Sequence, residues 1–201
     1  MYIAAAFRES RPEALHELIR AYSFGTLVSV VDGELFATHM PFLLDAERGP
    51  NGTLVGHLAR PNPHWQSFGS PALAIFQGPH AYVSPSWYAT DQAVPTWNYT
   101  AVHAYGVPSV VQVPRRVREI LSTTVATFDT AWTMDGLSED YIANMAKGIV
   151  AFEMPITRLE GKRKLSQNRP PADVDGAIAG LRATAEPLAL AVAELMRATS
   201  R

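Results

Sequence analysis

The pair Asp32-Gly33 constrains the chain more than any other feature. Both residue types tolerate positive backbone dihedrals, and a tight hairpin turn requires two of them in succession. A β-rich run, Phe24 to Val31, precedes the pair, and Leu35 to Leu44 follows it. The chain must therefore double back as an antiparallel hairpin. After the polar loop Glu47 to Gly52, the segments Thr53 to Ala59 and Ala72 to Phe76 read as further strands. Trp97 to Tyr105, Val107 to Val113 and Ile149 to Leu159 extend the set. Helical signals flank them. Ser10-Arg11-Pro12-Glu13 reads as a capping box, with Leu15, Leu18 and Ile19 as the stripe of a helix ending near Tyr22. Pro114 opens a helix through Phe128, and Ser138-Glu139-Asp140 opens another ending at Gly148. The last thirty residues are Ala/Leu-rich, with Asp173 as a cap. The expected fold is mainly β with α additions: an antiparallel sheet, closed into a barrel to remove its edges. One domain spans 1–201, with C-terminal helices from about residue 172.

Composition narrows the function classes. The hydrophobic fraction of 47% supports a buried core. The net charge of -2 gives no support to DNA binding by charge alone. The helical stretches Ala177 to Ala183 and Pro187 to Ala198 are too poor in basic residues to act as recognition helices. Without cysteine there are no disulfides, thiolate metal sites or cysteine nucleophile. No apolar run approaches the roughly 20 residues of a membrane helix, and the apolar start lacks a basic leader. A cytoplasmic protein with no membrane partner is expected.

Chemistry concentrates in a few stretches. Gly56 through Trp65 ends a strand in a proline-stiffened turn that presents Arg60 and Asn62 together. An arginine fork suits phosphate oxygens, and an amide donates beside it; a structural arginine on a surface turn has the same look. On Ala37 to Phe42, period two sets Ala37, His39 and Pro41 on one face and Thr38, Met40 and Phe42 on the other. His39, His57 and His103 stand on candidate strands, but no carboxylate or cysteine at ligand spacing supports a metal site. Phe76 through Tyr88 and Val94 through Tyr99 gather aromatics and small hydroxyls, suited to a flat heteroaromatic ring, a core or a subunit interface. Glu160 through Arg169 is the densest basic stretch. It fits an anionic ligand, nucleic acid or solvent equally well. No phosphate-cradling Gly-rich loop, nucleophile elbow or catalytic triad is present.

Taken in order, Phe24 through Val28, Ala37 through Leu44, Gly56 through Trp65, Phe76 through Tyr88, Val94 through His103 and Glu160 through Asn168 resemble the PaiB family. The resemblance runs over nearly the whole chain. Departures are Ala4-Ala5-Ala6 where the family has a proline, a shortened loop at Ala89 to Ala93 lacking lysines, and Arg163 in place of a common tryptophan. The resemblance implies a split β-barrel related to pyridoxamine-phosphate oxidase and flavin reductases. It further implies a homodimer with FMN in clefts at the subunit interface, and a negative transcriptional regulator.

On this basis Arg60 and Asn62 are expected to hold the FMN phosphate, with Lys162 or Lys164 assisting. Thr38 and His39 would approach the isoalloxazine ring, and Trp97 and Asn98 would close the pocket. A DNA contact would fall on Lys162, Arg163 and Lys164. Two other readings stand beside this one. The first is a flavin-dependent oxidoreductase or flavin reductase, although no residue stands out as catalytic. The second is a haem-binding or haem-degrading protein in which His39, His57 or His103 reaches iron.

Overall fold

A computed structural model describes residues 1–199. Among them the strands are β1 (Arg8–Glu9), β2 (Phe24–Val31), β3 (Glu34–Pro41), β4 (Leu43–Asp45), β5 (Thr53–Ala59), β6 (Ala72–Val83), β7 (Thr96–Gly106), β8 (Ser109–Val110) and β9 (Ile149–Lys164). The α-helices are α1 (Pro12–Ala21), α2 (Pro114–Phe128), α3 (Glu139–Ala146), α4 (Pro171–Ala183) and α5 (Pro187–Thr199). The strands form one sheet in the order β3-β2-β6-β7-β9-β5-β4, and β1 and β8 each pair with β9. That path ends on β3 and β4 rather than closing on itself. The architecture is the split barrel: mainly antiparallel β with helices added.

The hairpin forms as its turn chemistry requires. Asp32 and Gly33 take φ of 52° and 84°, and Val31 pairs with Glu34. Proline accounts for two departures from the expected strands. The run Leu35 to Leu44 breaks after Pro41, and Phe42, fully buried, donates its N–H to Ser23 O instead. Of Val107 to Val113 only Ser109–Val110 forms a strand. Pro108 lacks a donor and Pro114 begins α2, although Val111 N still bonds Ala151 O at 2.8 Å. Conversely, β6 and β9 run past their expected ends, to Val83 and Lys164.

The chain divides into two compact units, and β6, β7 and β9 each contribute one end to each. Among the described residues, one unit comprises Met1–Leu18, Gln77–Val102 and 160–199; the other comprises Ile19–Phe76 and His103–Leu159. In the second, aromatic rings build the core: Phe42 meets Phe76 at 5.3 Å and Phe152 at 6.2 Å edge-on, and Phe68 meets Phe152 at 5.0 Å in a tilted contact. Gly56 packs closely there: a Cβ would come within 2.8 Å of the Met40 methyl, which would have to move aside. Glu153 of β9 binds Arg48 and, at 2.7 Å, Arg116. The Arg48 guanidinium first, and then Arg116, holds this carboxyl below the ordinary range.

In the first unit α4 and α5 pack Val174, Ala177, Ile178, Leu181, Val192 and Met196 against Val83, Tyr88 and Leu165. Asp173 is not the expected cap. Pro170 takes that position, and Asp173 sits buried in the first turn of α4. There its carboxylate accepts from Ala89 N, Thr90 N and the Thr90 hydroxyl at 2.9–3.0 Å, clamping the loop beyond Tyr88.

Gly176 lies inside α4, where alanine ordinarily favours a helix by about 1 kcal/mol. A Cβ at this position would stand 2.0 Å from Trp87 O. Overpacking should win, so Gly176→Ala is expected to destabilise by about 1–3 kcal/mol. Chemical denaturation measures this, and a stabilised variant would refute the packing argument.

Candidate functional site

The site is built from the turn after β5. Asn62 N bonds Ala59 O at 2.9 Å, and Pro63 begins a short 3₁₀ turn, Pro63–Ser67. Asn62 caps that turn, its side-chain Oδ1 accepting from His64 N at 3.0 Å. The cap turns His64 inward until it is fully buried. Pairing of β2 with β3 supplies its partners. Leu27 faces Thr38 and Ser29 faces Phe36 in register, which sets all four on one face of the hairpin. Thr38 Oγ1 lies 2.8 Å from His64 Nδ1, and Ser29 Oγ lies 2.8 Å from Nε2. Asn62 Nδ2 donates to Thr38 Oγ1 at 3.1 Å. Ser67 Oγ closes the chain, 2.8 Å from both Ser29 Oγ and His64 O. The ring of Phe36 meets the imidazole edge-on at 5.2 Å. Burial pushes the His64 pKa down, so the ring is neutral at pH 7.

The other face of the same hairpin is different. Thr26 Oγ1 and His39 Nδ1 lie 2.9 Å apart in solvent. Exposed Phe24, Val30 and Leu35 flank them; Leu35 is 82% exposed. Thr38 and His39 therefore serve opposite faces of β3. Arg60 points elsewhere again. Its Nε donates to Lys147 O at 2.6 Å and its Nη2 to Ile149 O at 2.7 Å, while Arg60 N bonds Gly148 O. It pins the turn to the junction of α3 and β9. Arg60 also stands on an open cleft of about 830 Å³, beside Trp65, Val111, Leu121, Ile142 and Lys147.

The remaining expected residues lie in the other unit. The exposed Trp97 ring has His80 at 6.3 Å and Tyr82 at 6.1 Å. Lys164 Nζ binds Trp97 O at 2.6 Å and the Thr96 hydroxyl, and burial lowers its pKa. Asn98 is fully buried, donating to Ser166 Oγ at 2.9 Å and Met196 Sδ at 3.3 Å. Lys162 is buried too: its Nζ donates to Tyr2 O at 3.2 Å and lies over the Tyr99 ring at 5.1 Å. Arg163 pairs with Glu9 at 3.7 Å. Of the expected residues, then, Thr38 and Asn62 meet directly, as Trp97 and Lys164 do. Asn98 and Lys162 turn inward. Sequence reasoning missed His64, Ser29 and Ser67. The Asn-Pro-His order in the turn was visible, but the strand partners converge only through register.

Comparison with known proteins agrees with the fold and with a flavin ligand. Residues 1–158 match the family described as "Putative FMN-binding domain". The chain belongs to this family. It is 36% identical over 201 residues to the protease synthase and sporulation protein PAI 2 of Bacillus subtilis, covering 98% of this chain and 96% of that protein. The PaiB resemblance is thereby shown. Two solved structures share the fold at low identity. The FAD and haem binding protein of Mycobacterium smegmatis aligns with a TM-score of 0.62 at 18% identity, over 86% of this chain and 79% of that one. The flavocytochrome Anf3 of Azotobacter vinelandii aligns with a TM-score of 0.63 at 12% identity, over 78% and 69%. Among the described residues, no helix is long and apolar enough to cross a membrane.

Burial also lowers the pKa of His57. Both histidines have a folded pKa below the unfolded value of 6.5, so the unfolded chain binds protons first on acidification. Their contribution is complete above 6.5 and is lost as pH falls below it. Glu153 and Glu9, the latter lowered to about 2, lose theirs only below 4.5. The unfolding temperature should therefore drop between these two windows' upper limits, and His64→Gln should flatten that drop in part. An identical pH profile in the variant would show that His64 does not titrate on unfolding.

Proposed function

We propose that this protein is a cytoplasmic, homodimeric FMN-binding regulator of the PaiB kind. The observation that carries the reading is the match of residues 1–158 to an FMN-binding family. That span includes β2, β3, β5 and the Arg60–Asn62 turn. In this reading Arg60 and Asn62 bind the phosphate. Arg60 commits Nε and Nη2 to carbonyls, and its Nη1 edge makes no bond among the described residues. Asn62 keeps a second amide hydrogen beyond the one given to Thr38. His39, exposed on the outer face of β3, meets the isoalloxazine ring.

The outer face of the β2–β3 hairpin supports the dimer in this reading. Phe24, Val30 and Leu35 are exposed together there, and a second copy removes such a patch from water. Light scattering at micromolar concentration should give a dimer, and Phe24→Asp with Leu35→Asp should give a monomer. A monomeric wild type with FMN present would refute the assignment. The basic stretch itself offers little to DNA, because Lys162, Arg163 and Lys164 all have partners within their unit.

Arg60→Ala tests the phosphate contact. A charge-assisted hydrogen bond contributes about 1.5–3 kcal/mol, so FMN affinity should fall roughly ten- to a hundredfold. Riboflavin has no phosphate and should lose much less. Flavin fluorescence titrations of both ligands against both proteins decide it. Equal losses would mean that Arg60 serves only its bonds to Lys147 O and Ile149 O.

A further inference from the structure

We propose that His64 is a positioning residue for the ligand site, orienting Thr38 and Asn62 so that one Asn62 N–H is presented to an acceptor oxygen of the flavin. The inference rests on the FMN reading and adds to it a residue that touches no ligand.

Hydrogen bookkeeping around the ring leaves one arrangement. The Ser67 hydroxyl donates to His64 O, so its oxygen can only accept from Ser29. The single hydroxyl hydrogen of Ser29 is then committed, and Ser29 Oγ must accept from His64 Nε2–H. In a neutral imidazole the other nitrogen is the acceptor. His64 Nδ1 therefore takes the Thr38 hydroxyl hydrogen at 2.8 Å. With its own hydrogen directed at Nδ1, Thr38 Oγ1 accepts from Asn62 Nδ2. The Asn62 amide is held at its other end, because Oδ1 accepts from His64 N. Ring and backbone of one residue thus fix which way the amide faces. What remains uncommitted is one Asn62 N–H and one Thr38 lone pair, on two half-buried side chains at the turn.

A histidine that merely filled the core would need only its volume and satisfied nitrogens. The positioning role needs the Nδ1 acceptor specifically. Three variants separate these roles. In His64→Asn the side-chain oxygen stands near the place of Nδ1 and keeps the Thr38 bond. In His64→Gln the amide reaches toward Ser29 and leaves Thr38 without its acceptor. In His64→Phe the volume stays and both bonds go. FMN titrations should find the Asn variant within about threefold of wild type, and the Gln and Phe variants weaker by about tenfold. Thermal unfolding, run in parallel, should not follow that order, because Asn leaves the largest void.

Affinities that track unfolding temperature, or full FMN binding by His64→Phe, would overturn the inference while leaving the FMN reading intact. A wild type that binds no FMN would overturn both. Nitrogen NMR of the wild-type imidazole provides a readout free of folding defects in variants. The Nε2–H tautomer is expected, and the Nδ1–H tautomer would refute the proposal.

Discussion

Antiparallel pairing along β9 is the constraint on which the other elements depend. In one unit, its first eleven residues hold β5 from Thr53↔Pro155 to Ala59↔Ile149, and hold β8 at Glu153 and Phe152. In the other unit, its last residues pair with β1 at Gly161 and Lys162. Side chains alternate along such a strand. Phe152 and Met154 accordingly enter the core, and Glu153 between them receives Arg48 and Arg116. A one-residue slip would carry Glu153 inward and Phe152 outward. Register here thus sets both the aromatic core and the ion pairs that fasten α2.

The polar chain through His64 obeys a different economy. A satisfied neutral hydrogen bond adds only about 0.5–1.5 kcal/mol, whereas a buried group left without its partner costs about 1–3 kcal/mol. Removing one member is therefore worse than never having built the chain. Ser29, Thr38, Asn62, His64 and Ser67 are coupled in that sense, although they come from two strands and a turn. The consequence is rigidity at the turn and along the inner face of the β2–β3 hairpin. Arg60 adds to it by tying the same turn to Lys147 and Ile149.

The two faces of the β2–β3 hairpin divide these tasks. The inner face carries the His64 chain, and the outer carries Thr26 and His39 among exposed Phe24, Val30 and Leu35. A flavin combines a flat apolar ring with a polar edge and a phosphate. A fold that keeps apolar and polar surfaces on a single rigid hairpin suits that mixture.

Local chemistry alone determined much of the molecule. The Asp32-Gly33 turn, strands Phe24–Val31 and Thr53–Ala59, and helix Pro114–Phe128 follow from dihedral preference, period and proline, all of which act within a few residues. The alternation that separates Thr38 from His39 was readable for the same reason. Tertiary structure decided everything that needs two distant segments at once. Asp173 has the sequence signature of a cap, yet it serves the loop at Ala89 and Thr90. Asn98 was expected to close a pocket and Lys162 to assist at a phosphate, and packing turned both inward. His64 could not be assigned, because its partners at 29, 38 and 67 approach only once β2 and β3 are in register and the turn has folded beneath them. Sequence carries short-range propensity; hydrogen-bond partners are chosen by long-range geometry, which no local pattern encodes.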